Sequence, residues 1–381
     1  MRTAETPFPP QDYAARLQKV RARMEEMRLD LLIASSPENI CYLCGYESVG
    51  YFAQQALIVS LTDEPVLVVR ALEVPNAEAS CRLDRIIGYQ DHEGGSAAIA
   101  RAIAGLSGQG HIGVELRSRS LTCTQFAELG NLMPTCRLVD SFGAIEDARL
   151  IKSERELACI RAAGRMVEAG ITAALDAVQV GTRERAIASK AYQATIDAGS
   201  DWTGAPVFVS SGSRSARAHT TWSDKTISAG EPVFLEVNAA RHRYHAVMMR
   251  PACLAPAPDR YRRMMDASRA GLEAALAAAR PGVAAADVDS ACRAAIAQAG
   301  FGEAFRLRTG YSMGLGFENF GEGPLFSLHA GNTRPLAEGM VLHLCPYLSE
   351  SGAWGGAYSE TVIITAGGPE MVSAVPRTGI S

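Results

Sequence analysis

No stretch of the 381 residues approaches the ~20 consecutive apolar positions that a membrane-spanning helix needs. The most apolar windows, at 31–34 and 65–69, are strand-sized. The first thirty residues offer no secretory core, being interrupted by Asp12, Arg16, Lys19, Arg21, Arg23, Glu25 and Arg28, so export is not expected. Charge of one sign is also lacking. The balance of 37 basic against 41 acidic residues leaves −4, and no basic block follows a phosphate backbone, so neither nucleic acid nor membrane is an expected partner. Nine cysteines, an odd number at irregular spacing, suit reduced thiols rather than a disulfide framework and predict a cytoplasmic protein. Gly94-Gly95 is followed by no Lys-Ser/Thr, Gly-x-Ser-x-Gly does not occur, and no tandem period marks a solenoid.

What is present is a globular composition, 48% hydrophobic and 20% charged, in a length that predicts two domains. Tyr13, Leu17, Val20, Met24 and Met27 recur at steps of three and four, one apolar helix face. Strand-like runs at 29–34, 56–60, 65–69 and 111–115 alternate with helical patterns at 96–105 and 120–132, which reads as a small α/β domain over 1–148. Over 149–381, helical patterns fall at 154–178, 184–198, 257–280 and 285–299. Strand-like ones fall at 206–210, 232–239, 243–254, 340–347 and 358–365. Because these strands arrive in neighbouring pairs, the second domain is expected to be α+β with antiparallel pairing.

Cys41-Tyr-Leu-Cys44 has redox or zinc spacing without a second pair, and its strand-like surroundings predict core packing. Cys345, in Leu344-Cys-Pro346, has no local sign of activation and reads as a packed strand residue. The histidines are more informative. His219 lies in the polar loop Arg217-Ala-His-Thr-Thr-Trp-Ser-Asp224, where an imidazole can act as acid or base near neutrality. His242 and His245 lie in a hairpin-like connection after Glu236, and a carboxylate on a half-buried strand is costly unless it serves a site.

Arg149-Leu-Ile-Lys-Ser-Glu-Arg-Glu156, His219, Gly230-Glu-Pro-Val-Phe-Leu-Glu236, Thr309-Gly-Tyr-Ser-Met-Gly314, Glu338-Gly-Met-Val341 and Glu360-Thr-Val-Ile-Ile-Thr365 together resemble the creatinase/aminopeptidase P family over nearly the whole chain. The resemblance implies a small α/β N-terminal domain, a "pita-bread" α+β catalytic domain and a homodimer. It also implies five metal-ligand positions, which here are Glu236, Val247, Tyr311, Cys345 and Ser359, so neither metal nor another cofactor is expected. Arg308-Thr-Gly-Tyr311, Phe320-Gly-Glu322, Arg243-Tyr-His245 and His343 resemble a metal-free branch, the ectoine hydrolases. Glu318-Asn319-Phe320 and Ala357 depart from that branch's pattern.

The resemblance thus implies hydrolysis of a C–N bond in a small cyclic amidine or amide, with His219 as base. Glu236 and Glu360 are the expected carboxylates for an amidinium, and Asp224 or Glu322 the partner of His219. Trp222, Tyr244, His245, Tyr311, Glu322 and His343 are expected to line the substrate site, with Arg250 or Arg217 meeting a substrate carboxylate. Creatinase-type or other small-amide hydrolysis, and a non-catalytic binding protein of the same fold, are the alternatives.

Overall fold

Ser153 caps the helix that opens the second half of the chain: its side chain accepts from the Glu156 N–H, and the Glu156 carboxylate accepts from the Ser153 N–H at 2.8 Å. In the computed structural model, which describes residues 6–108 and 110–380, the chain divides just before this cap into two units, Met1–Arg149 and Leu150–Ser381.

The first unit holds α1 (Pro10–Glu26), β1 (Leu31–Ala34), α2 (Pro37–Cys44), β2 (Ala56–Ser60), β3 (Val66–Arg70), α3 (Val74–Ser80), β4 (Ile86–Tyr89), α4 (Gly95–Ala104), β5 (His111–Val114), α5 (Cys123–Leu132) and β6 (Arg137–Asp140). Its sheet runs β4-β3-β2-β1-β5-β6, antiparallel through β1, β2 and β3 and parallel elsewhere. The unsignalled β4 and β6 are its two edges. Edge strands are half exposed, so they lack the apolar run that betrays β1 and β2. The segment with Cys41 and Cys44 is not a strand but helix α2. Ser36 caps its start, Pro37 fixes its first turn, and Gly45 ends it at φ 84, a left-handed value that glycine adopts freely. The buried Glu115 carboxylate pins the β1–α2 junction by accepting from the Ser35 and Ser36 N–H groups at 2.7 and 2.6 Å.

After α6 (Glu146–Leu150), which closes the first unit, the second holds α7 (Glu154–Asp176), α8 (Glu184–Asp197), β7 (Phe208–Ser211), β8 (Pro232–Arg241), β9 (Tyr244–Cys253), α9 (Asp259–Ala278), α10 (Ala285–Gln298), β10 (Gly310–Ser312), β11 (Ser327–Leu328) and β12 (Val341–Leu344). It closes with β13 (Leu348–Ser349), β14 (Gly355–Gly356), β15 (Glu360–Thr365) and β16 (Gly368–Met371). A helix pair followed by an antiparallel sheet occurs twice: α7 and α8 before β7-β8-β9, and α9 and α10 before β11-β10-β12-β15-β16. Leu272, Ala275, Val288, Ile296, Leu342 and Val362 belong to one buried core in the second repeat.

Alternation along β8 divides its side chains between two faces. Val237 turns to the helices, against Gly170 of α7, while Phe234, Glu236 and Asn238 share the opposite face. The β8–β9 hairpin closes through His242 and Arg243, at φ 51 and 66, a two-residue turn with both residues left-handed. That backbone is costly for non-glycine residues, and tertiary bonds hold it. The His242 N–H donates to Asp201 Oδ2 at 2.5 Å. The buried Arg243 guanidinium donates to Gly316 O at 2.7 Å and to Trp202 O, and lies 3.5 Å from the Trp202 ring centroid. A Cβ at Gly170 would fall 2.4 Å from Thr195 Cγ2 and 2.9 Å from Val237 Cγ1. Gly170→Ala is therefore expected to cost about 1–3 kcal/mol of stability by overpacking, read as a lower urea midpoint at unchanged m-value.

Candidate active site

Glu236 sits in the middle of β8, opposite Phe208 of β7 and Met249 of β9, and is 5% exposed. No hydrogen bond or ion pair reaches its carboxyl from the described residues, and burial alone pushes it up to about 8. A carboxyl in that condition stays protonated at neutral pH until a cation arrives.

A second group of residues reaches the same place from the other sheet. Tyr311 of β10 pairs with His343 of β12 and shares its face, so their rings meet edge to face at 5.3 Å. His343 Nδ1 lies 2.9 Å from Tyr311 Oη, and its Nε2 lies 2.7 Å from Ser359 Oγ. Ser359 in turn accepts from the Met249 N–H at 2.7 Å, directly across from Glu236. Burial, then the charge of Arg308, lowers His343 to about 3, so the ring is neutral. In a neutral imidazole one nitrogen donates and the other accepts, so the direction of the bond to Ser359 fixes the direction of the bond to Tyr311. The Tyr311 hydroxyl is pushed well up by burial, with Cys345 and Glu236 adding to it. Cys345 is likewise pushed up, first by burial and then by Glu236, and remains a thiol.

His219 projects from the loop after β7 with φ 60, exposed, its ring 6.2 Å from that of Phe208. It therefore stands one ring away from the strand pair that carries Glu236. Neither expected partner is beside it. Asp224 is exposed and pairs with Arg185 at 2.9 Å, and Glu322 is buried against Lys152 at 2.7 Å. Trp222 packs on Tyr192 of α8 at 5.7 Å, and Arg217 is exposed on the His219 loop.

Four further expected site residues are buried and bonded to protein groups. Arg250 and Glu360 hold each other at 2.7 Å, both 2% exposed in their side chains, and Arg377 adds a bond to the same Glu360 oxygen at 3.0 Å. By strand alternation Arg250 lies on the helix-side face, away from Glu236, and Glu360 lies opposite the His343 face. Tyr244 shares the helix-side face and donates to Glu156 Oε1 at 2.5 Å. His245 is fully buried, lowered to about 3 by burial and then Arg243. Its Nδ1 lies 2.8 Å from Arg243 O, and its Nε2 accepts from the Gly204 N–H at 3.4 Å. Each of these four, like Glu322, has its polar atoms engaged by protein groups. Arg308 is what sequence reasoning missed: it was noted only as part of a motif, yet its guanidinium lies 4.7 Å over the Tyr311 ring.

The model of metallopeptidase family M24 matches residues 158–366, more than half of the chain. The chain belongs to that family. The creatinase/prolidase N-terminal domain matches residues 16–151, ahead of the M24 domain, and the architecture is the two-domain, pita-bread one. An ectoine hydrolase of Halomonas elongata is 29% identical over 97% of both chains, and an Xaa-Pro dipeptidase of Lactobacillus delbrueckii is 27% identical over 92% of this chain and 95% of its own. The prolidase of Pyrococcus horikoshii superposes with a TM-score of 0.85 at 23% identity, covering 96% of this chain and all of that one. No helix among the described residues is long and apolar enough to cross a membrane.

Two divalent cations of the M24 kind need several oxygen anions around them. At the five positions that the family resemblance gives to those ligands, this M24 chain has one carboxyl, a phenol, a thiol, a serine hydroxyl and Val247. Among the described residues no three His, Cys, Asp or Glu side chains are grouped to hold a metal. The donor set does not fit a dimetal centre.

Arg250→Met is expected to lower stability by about 3 kcal/mol by stranding a buried charge, and Arg250→Met with Glu360→Met to recover much of it, measured by chemical denaturation. Glu236 gives the opposite kind of signature. Its folded value of about 8 lies above an unfolded value near 4.5, so between those pH values the unfolded chain releases a proton that the folded chain keeps. Stability therefore falls with rising pH across that window and levels off above it. Glu236→Gln should be increasingly more stable than the parent from pH 5 to pH 8, by at most about 1.4 kcal/mol per pH unit, read from melting at each pH.

Proposed function

We propose that this M24-family hydrolase cleaves a C–N bond in a small cyclic amidine without a metal, in the manner its similarity to an ectoine hydrolase suggests. The observation that carries the reading is Glu236: a buried carboxyl at a metal-ligand position, with no cation beside it among the described residues. An amidinium is planar, delocalised and positive, with parallel N–H donors that match the two oxygens of a carboxylate. Its arrival supplies the charge that Glu236 lacks and returns the carboxyl to its ionised form.

Hydrolysis then needs a base for water. His219 is held near the Glu236 strand pair by its ring contact with Phe208 and is open to solvent. As water oxygen bonds to the amidinium carbon, His219 takes one of its protons. When the C–N bond breaks, that proton passes to the departing nitrogen and the hydroxyl proton of the tetrahedral centre follows it by way of His219, leaving an amide and an ammonium group. Tyr311, oriented by His343 and Ser359, is the donor available to the tetrahedral centre.

Purified protein given ectoine should convert it to an acetylated diaminobutyrate at the same rate with and without a chelator, followed by NMR. His219→Ala should lose at least about 100-fold in kcat while melting at the parent temperature. Turnover of an Xaa-Pro dipeptide that requires added divalent metal, with none of ectoine, would replace this reading by the peptidase one.

A further inference from the structure

Arginine side chains near the site are almost all engaged. Arg243 is bonded to backbone carbonyls, and Arg250 and Arg377 share Glu360. Arg308 differs. It is exposed, and among the described residues its guanidinium enters no ion pair and donates no hydrogen bond.

Its place is nevertheless built. The guanidinium lies 4.7 Å over the Tyr311 ring, an attraction between a cation and an aromatic face. Beneath both run two glycines of one segment. A Cβ on Gly321 would fall 2.5 Å from Tyr311 Cε2, and a Cβ on Gly323 would fall 2.6 Å from an Arg308 terminal nitrogen. Neither glycine is at positive φ, so close approach rather than turn geometry is what each one permits. Tyr311, which carries Arg308 on its ring, is joined through His343 and Ser359 to the Met249 N–H opposite Glu236, so one chain of contacts runs from the free cation to the strand pair of the buried carboxyl.

We propose that Arg308 is the specificity residue of this site, receiving the carboxylate of a small zwitterion whose cationic end faces Glu236. The assignment rests on the cation-accepting role given to Glu236 above. A guanidinium held by its face keeps its edge N–H groups for a carboxylate, which they match in paired geometry. Two opposite charges at fixed places select zwitterions over simple amidines and over simple acids, because a ligand missing either end leaves one protein charge unmatched.

The test compares acids with their carboxamides in calorimetric titrations: ectoine, creatine and alanyl-proline, each against its amide. Parent protein should prefer at least one acid to its amide, and Arg308→Gln should lose ~10–100-fold in affinity for that acid while binding its amide within about twofold of the parent. Gly323→Ala, which displaces the guanidinium without removing it, should weaken the acid in the same direction. Arg308→Lys should restore only part of the affinity. If ectoine is not bound but another acid shows an Arg308-dependent preference, the amidine reading fails and Arg308 keeps its role. If no acid preference depends on Arg308, the assignment is overturned.

Discussion

The line along which β9 meets β15 is the constraint on which the site depends. Ser359 accepts from the Met249 N–H, its own N–H donates to Met249 O at 3.2 Å, and Thr361 Oγ1 both accepts from the Val247 N–H and donates to Val247 O. Two separate sheets, one from each helix-and-strand repeat, are thereby held in one register. Without it Glu236 on β8 and the Tyr311–His343 pair on β10 and β12 would have no fixed relation. Two of the bonded side chains, Ser359 and Thr361, are small hydroxyls on the same strand face as His343, so the seam and the site use the same residues. Ser359 joins two halves of the fold and orients an imidazole.

Around that seam the charges are sorted by burial. Buried ions that are paired, Arg250 with Glu360 and Lys152 with Glu322, lie in the walls, where a carboxylate without a cation would be destabilising. Glu236, a buried carboxyl on the Phe234–Asn238 face of β8, has no such cation among the described residues and is held neutral instead. Its neighbours Tyr311, Cys345 and His343 are all held in their uncharged forms by burial.

Much of the fold is legible in the residues. The strand pair around 232–254 and the helices of both repeats follow from local pattern, which responds to short-range forces. The edge strands and the Cys41–Cys44 helix were not, because half-exposed edges carry weak patterning and the cap formed by Ser36, Pro37 and Gly45 outweighed a β-like composition. Among candidate site residues, the burial of Glu236 was legible because an acidic residue interrupts an apolar strand. The pairing of Arg250 with Glu360 and of Tyr244 with Glu156 was not, because which face a strand presents to a helix or to a cavity is set by its partners.

The sequence by itself therefore determined the family, the two-domain order and most of the elements, since these depend on which residues are present and how they are spaced. Tertiary structure alone decided which ionisable groups are neutralised by a neighbour and which are left to meet a ligand. The physical reason is that pairing and desolvation act across strands far apart in the chain: Arg250 and Glu360 meet over 110 positions, and Lys152 and Glu322 over 170. Charge identity is local, but charge availability is not.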